Sequence, residues 1–323
     1  MYSEELKKLH TACFPGDEAY ADYFFDKVGA RAFLRRDETG VAAAAYVKIL
    51  SAEIFGTVIQ IPFVTGVATR PDAGKRGHCR ALLSELESAM AEEGYPFVML
   101  HPFNHDFYSR LGYVTINEMK YIYPSPYGAD YVIKPLTADD WADTYFVRSE
   151  WGKMFPAHVF RSASDQQNVI DMFTKVCGSG YIIYRNGTPN AYVLIDDGKV
   201  VEAEFTTPNA FDGVKELLGK RIPIAAAGGE NYSMGKLLNL SKLLRLLPMR
   251  GVDLNARFSI GGKTYEITVN DGQSEVLAEV NGSAYPVTEG ELLRTALGHG
   301  KDYPFSPLKE LFPEYNLALF EKY

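Results

Sequence analysis

Cysteine is scarce in this chain: only Cys13, Cys79 and Cys177 occur in 323 residues. They are far apart and odd in number, which excludes a disulfide framework and any paired-cysteine zinc spacing. A reducing compartment, the cytoplasm, is the expectation. Long apolar runs are missing too. None approaches the ~20 residues that a membrane-spanning helix needs, and the opening residues are charged and amphipathic rather than leader-like. Positive charge is in the minority, with 33 Lys and Arg against 41 Asp and Glu and a net charge of −8. Neither nucleic acid nor an anionic membrane is therefore expected as a partner; a cationic or neutral small molecule or peptide suits that balance better. Aromatic rings, by contrast, are plentiful. The 21 Tyr and 19 Phe are enough to line a pocket, or simply to fill cores.

One stretch organises the rest. Residues 64–68 read as a short β-branched strand that Pro71 stops. Residues 80–93 read as a helix, with Leu82, Leu83, Leu86 and Met90 on one face and Gly94 closing it. Between them lies a basic turn containing Gly74, Lys75, Arg76 and Gly77. A helix N-terminus exposes unpaired N–H groups, and glycine lets a ligand approach the backbone. The turn is thus a candidate phosphate cradle; an ordinary basic turn before a surface helix is the competing reading.

Taken in order, residues 4–14 and 18–28 read as helices, and 32–34, 41–50 and 54–61 as strands. After the central strand and helix come a strand at 97–100, a helical turn at 107–111 and a last strand at 113–122. Pro124, Pro126 and Gly128 mark a linker. The next unit has helices at 138–151 and 162–176, a hairpin across Asn186–Gly187, a strand at 199–205 and a helix at 211–218. The last unit opens on a leucine-rich stretch, 236–247, read as a helix too apolar to lie exposed. A hairpin over Gly261–Gly262 and a helix at 288–297 follow.

Two motifs then act together. The first is Val67–Ala68–Thr69–Arg70–Pro71 with Gly74–Lys75–Arg76–Gly77–His78–Cys79 after it; the second is Phe107–Tyr108–Ser109–Arg110–Leu111–Gly112–Tyr113. At this separation they resemble the GNAT superfamily of acyl-CoA-dependent N-acetyltransferases, and within it the Eis-like (enhanced intracellular survival) family. The resemblance implies an α/β (α+β) fold in three parts: a GNAT acetyltransferase domain at 1–125, a degenerate GNAT-like domain at 130–230, and a small sterol-carrier-like domain at 231–323. It departs from the family pattern at Gly74, where Arg or Gln is usual, and at Cys79, where a small residue is usual. The chain is also shorter than typical Eis-like proteins.

The resemblance further implies acetyl-CoA as co-substrate, with no metal. Val67, Ala68 and Thr69 would offer backbone to the pantetheine. Gly74, Lys75, Arg76, Gly77, His78, Cys79 and Arg80 would hold the diphosphate. Tyr108 would protonate the departing thiolate, a role that a phenol's hydroxyl suits at neutral pH. The terminal carboxylate, here on Tyr323, would assist deprotonation of the amine, with Glu321 as an alternative, and Phe14 would line the acceptor pocket. The expected reaction is direct transfer to a primary amine in a ternary complex; related enzymes form hexamers, so a homo-oligomer is expected. A CoA-binding protein without turnover, or a hydrophobic-ligand carrier using the last unit, are the competing functions. His101, His105 and Asp106 do not make a metal set, because Pro102 disrupts helical spacing and no further ligand is evident.

Overall fold

Alternation along a single strand explains how the first unit is layered. In the computed structural model, Ala43, Ala45 and Val47 pack with Leu82, Leu83 and Leu86 on one face, while Ala44 and Tyr46 pack with Leu6, Leu9 and Phe24 on the other. Successive strand side chains point to opposite faces, and the alanines let helices approach closely from both. The structure describes all residues except 1–3, 17, 247–253, 271–272, 279, 307, 313 and 322–323, and leaves aside the side chains of 254, 270, 273–278 and 310.

The first unit runs α1 (Glu4–Cys13), α2 (Glu18–Tyr23), β1 (Arg31–Asp37), β2 (Gly40–Ile54), β3 (Thr57–Thr69), α3 (His78–Glu92), β4 (Phe97–Leu100), α4 (His105–Ser109) and β5 (Val114–Ile122). The expected strands at 41–50, 54–61 and 64–68 are in fact two long ones. They turn at Phe55 and Gly56, whose φ values of 48° and 78° suit a primed hairpin turn. Pro62 lies inside β3, opposite Ile49, and does not divide it.

The second stretch contributes β6 (Val132–Pro135), α5 (Trp141–Gly152), β7 (Ala157–Phe160), α6 (Ala163–Asp171), β8 (Ser179–Arg185), β9 (Thr188–Asp196), β10 (Lys199–Phe205) and β11 (Ile222–Ala225). The Asn186–Gly187 hairpin is present, with both residues at positive φ. The expected helix at 211–218 is only a series of turns ending in a 3-10 turn at Lys215–Leu217. Gly213 and Gly219 both have positive φ, which breaks any continuous helix there.

The last stretch has β12 (Glu230–Leu237), α7 (Leu240–Leu246), β13 (Leu254–Ile260), β14 (Lys263–Asn270), β15 (Gln273–Ala278), β16 (Tyr285–Pro286), α8 (Glu289–Arg294) and α9 (Leu308–Leu311). The leucine-rich helix thus starts four residues late, because 236–237 finish a strand. Leu243 and Leu244 are buried, packed solidly in the core.

Three sheets result. The largest has the order β1-β2-β3-β4-β12-β5-β11, with β7 on the far end of β2; the others are β10-β9-β8-β6 and β15-β14-β13-β16. β12 lies antiparallel between β4 and β5, with Met234 opposite both Leu100 and Thr115. Strand 113–122 is therefore not the last of the first sheet, which takes β7, β11 and β12 from further along the chain. One core cluster joins Ile61 and Phe97 of that sheet to Phe258, Ile267, Leu292 and Phe312 near the C-terminal end. The C-terminal elements share this core rather than enclosing one of their own.

Candidate active site

Parallel pairing of β3 with β4 lasts only two residues, Phe63 with Met99 and Val64 with Leu100. The chain then leaves the sheet at His101, while β3 runs on to Thr69. The backbone of Thr65, Gly66 and Val67 consequently borders a cleft of about 390 Å³. Gly66 has a φ of +57°, and a Cβ there would stand 2.8 Å from the Tyr46 ring, so a larger residue would have to displace that ring. A register shift between Ala44 and Tyr46 marks the bulge that accommodates it.

A second cleft, of about 460 Å³, lies over the basic turn. Lys75 and Gly77 have φ values of 62° and 83°, which bend the chain sharply before α3 begins at His78. The amides of that first turn are available to an anion, and the helix dipole favours one. Val67, Thr69, Gly74, Lys75, Gly77, His78, Cys79 and Arg80 all border this cleft. Ala68 instead is buried against the aromatic layer on the opposite face, and Arg76 is exposed and outside the lining. The residues present therefore fit a diphosphate. Arg110, which was not foreseen, adds a further cation there. Val67 and Phe103 border both clefts, which are therefore adjacent; Phe103 is 78% exposed between them.

Tyr108 stands in the first cleft, 3% exposed, packed edge-on against Phe103, Phe107 and Tyr113. Asn104 caps the short helix that carries it by accepting from the Phe107 amide at 3.0 Å. Burial raises the Tyr108 pKa, so the phenol holds its proton at neutral pH. Burial likewise raises the thiols of Cys13 and Cys79, against a bond to Thr69 in each case. Both stay as thiols, which suits packing rather than nucleophilic attack.

The far wall of the first cleft was less legible. Phe14 borders it, and so do Tyr20, Met172, Phe173, Asp196 and Glu321. Tyr323 lies outside the described residues. The tail before it is docked: Ala318 pairs with Ala157 and Val159, and the Ser233 hydroxyl donates to the Leu319 carbonyl at 2.9 Å. Glu321 is buried among cations. Arg161 Nε donates to both its oxygens at 3.0 Å, and Arg148 Nη2 reaches it at 3.4 Å. Arg161 also holds Glu202 at 2.6 and 2.9 Å, and Arg148 pairs with Glu204. The Tyr192 hydroxyl lies 2.7 Å from both Glu202 and Glu204.

Elsewhere, Glu118, His299 and Asp302 bring three metal-type ligand atoms within 4.8 Å of one another. Arg294 pairs with Asp302 and lies 3.8 Å from Glu118, so a cation already serves these carboxylates. Burial, followed by Arg294, lowers the His299 pKa and favours the neutral ring. No helix among the described residues is long and apolar enough to cross a membrane.

Residues 2–116, which include the parted strands, the turn and Tyr108, match the family described as an acetyltransferase (GNAT) domain. They form a GNAT acetyltransferase domain. With it the chain is an N-acetyltransferase, and acetyl-CoA-dependent transfer is its general chemistry. The fold likeness extends further. A protein of unknown function from Enterococcus faecalis V583, described as a probable N-acyltransferase, is 16% identical with a TM-score of 0.77, over 99% of this chain and 97% of that one. A GCN5-related N-acetyltransferase from Kribbella flavida is 14% identical with a TM-score of 0.73, over 99% and 95%. Eis1 from Mycobacterium abscessus is 14% identical with a TM-score of 0.70, over 98% and 97%. At such identities the likeness establishes shared fold alone. No curated protein sequence matches the chain.

Proposed function

We propose that this N-acetyltransferase is of the Eis-like kind and acetylates a primary amine, such as a polyamine, an aminoglycoside-like amine or a lysine side chain, by direct transfer in a ternary complex. One observation supports this above the others: the cleft that opens where β3 leaves β4 shares Val67 and Phe103 with the cleft over the basic turn, and Tyr108 and Asp196 line it. A thioester laid along β3 would meet a proton donor in Tyr108, and the Asp196 carboxylate on the same cleft suits an ammonium group.

In this reading Val67 and Thr69 align the pantetheine, residues 74–80 bind the diphosphate, and Phe14 borders the acceptor. Tyr108 protonates the departing thiolate. Glu321 has its oxygens committed to guanidinium donors, so it anchors the tail and leaves proton removal to the carboxylate of Tyr323, with water assisting. A cytoplasmic location and a homo-oligomer belong to the same proposal.

The test is thiol release from acetyl-CoA over a panel of amines. Tyr108→Phe should lower kcat by about a hundredfold or more, the usual weight of a general acid, while coenzyme A binding persists. Removing Tyr323 should lower activity more than stability. Unchanged turnover in either variant would remove that residue from the mechanism. Acetyl-CoA binding with no turnover on any amine would favour a non-catalytic CoA-binding protein.

A further inference from the structure

A third cavity, of about 470 Å³, lies where the edge of the large sheet meets the edge of the second sheet. Its walls come from the start of β10 (Lys199, Val201), the end of β5 (Tyr121), the residues just before β11 (Lys220, Arg221) and β12 (Tyr232). Three of these side chains are cationic, and among the described residues no acidic one borders the cavity. Arg221 is partly used: its guanidinium lies over the Tyr121 ring at 4.0 Å and meets Glu230 at 3.0 Å. Lys199 and Lys220 form no ion pair among the described residues. Such lysines, beside tyrosine hydroxyls and on low-dielectric walls, make a local site for an anion in a chain of net charge −8.

The cavity is not isolated from the chemistry. Val201 borders both it and the cleft that holds Tyr108. Tyr232 is the partition: it faces this cavity, while its ring lies 4.4 Å from His101, which borders the Tyr108 cleft. Charge therefore changes sign across this wall. Asp196 stands on the Tyr108 side, where Glu321 is already paired with Arg161 and Arg148; Lys199, Lys220 and Arg221 stand beyond Val201.

We infer that the cavity bounded by Lys199, Lys220 and Tyr232 is a distal acceptor subsite for an anionic group, carboxylate or phosphate, so that the preferred acceptor is an elongated zwitterion with its amine at Tyr108 and its anion beyond Val201. The inference rests on the amine-acetylation reading and narrows it. A purely cationic acceptor, the class that the overall charge suggests, would put its far end against the lysines.

The test uses the full chain and a length series of ω-amino carboxylates and ω-aminoalkyl phosphates, each with the α,ω-diamine of matching length. Binding is measured by calorimetry in the presence of coenzyme A, and turnover by thiol release from acetyl-CoA. At the best length, the carboxylate or phosphate should bind at least about tenfold tighter than its diamine, the worth of one good charge-assisted contact. The Lys199→Glu, Lys220→Glu double variant should lose that preference. The two anion types distinguish a carboxylate site from a phosphate site. Diamines binding as well at every length would overturn the subsite, as would a double variant that keeps the preference. The preference without thiol release would keep the subsite and reject amine acetylation. Thiol release without the preference would do the reverse.

Discussion

Tyr192 has one proton to give, yet two buried carboxylates stand 2.7 Å from its hydroxyl. If the phenol donates to one, the other must carry a proton and donate back. The surroundings assign that proton to Glu204. Burial, and then the charge of Glu202, push its pKa up from an ordinary 4.5 to about 7. For Glu202 burial acts in the same direction, but Arg161 outweighs it and the pKa falls. The folded state therefore holds the Glu204 proton more tightly than the unfolded chain does, and the stability it contributes is lost as pH rises toward 7. Glu202 contributes above its unfolded value and loses that contribution as pH falls. We predict that Glu204→Gln flattens the decline in melting temperature between pH 5 and about 7, a decline in the wild type of about 1–3 kcal/mol or several degrees. A variant with an undiminished decline would place the proton elsewhere. At this scale the turn glycines and Tyr108 were legible because short motifs carry them. The partners of Glu321 were not, since Arg161 lies 160 positions away and no local pattern links the two.

Among the elements, the docked tail and the parted strands matter most. Ala318 pairs with β7, and the tail brings Glu321 to Arg161 and Arg148. A buried ion pair contributes little net stability when whole, but removing one partner strands a charge. Arg161→Met should thus cost about 3–5 kcal/mol in a denaturant titration and expose the tail to limited proteolysis. A protected tail with a smaller loss would mean that the apolar contacts of Leu317, Leu319 and Phe320 are enough to seat it. Hairpins with Asn-Gly or Gly-Gly turns were read correctly because turn chemistry is local. The leucine-rich stretch was misread at its start: 236–237 belong to β12, whose pairing with β4 and β5 overrides the helical pattern. The separate strands expected at 54–61 and 64–68 merge instead, since one long strand paired along β2 runs through Pro62.

Across the whole molecule, β12 is the strand that sequence order hides. It enters the sheet between β4 and β5 after more than a hundred intervening residues, and Lys236 fixes it to Glu87 of α3 at 2.6 Å. The composition of a linker near 124–128 suggests a boundary, but composition carries no information on which edges later pair across it. The walls of the Tyr108 cleft likewise come from both sides of that linker, from Phe14 and Val67 before it and from Phe173 and Asp196 after it. In the proposed mechanism, binding of the acetyl donor needs only the first set. A crystal structure with coenzyme A tests this most directly. The account predicts the diphosphate against the amides of residues 76–79 and the sulfur beside the Tyr108 hydroxyl; a turn left empty, or a sulfur remote from that ring, would contradict it.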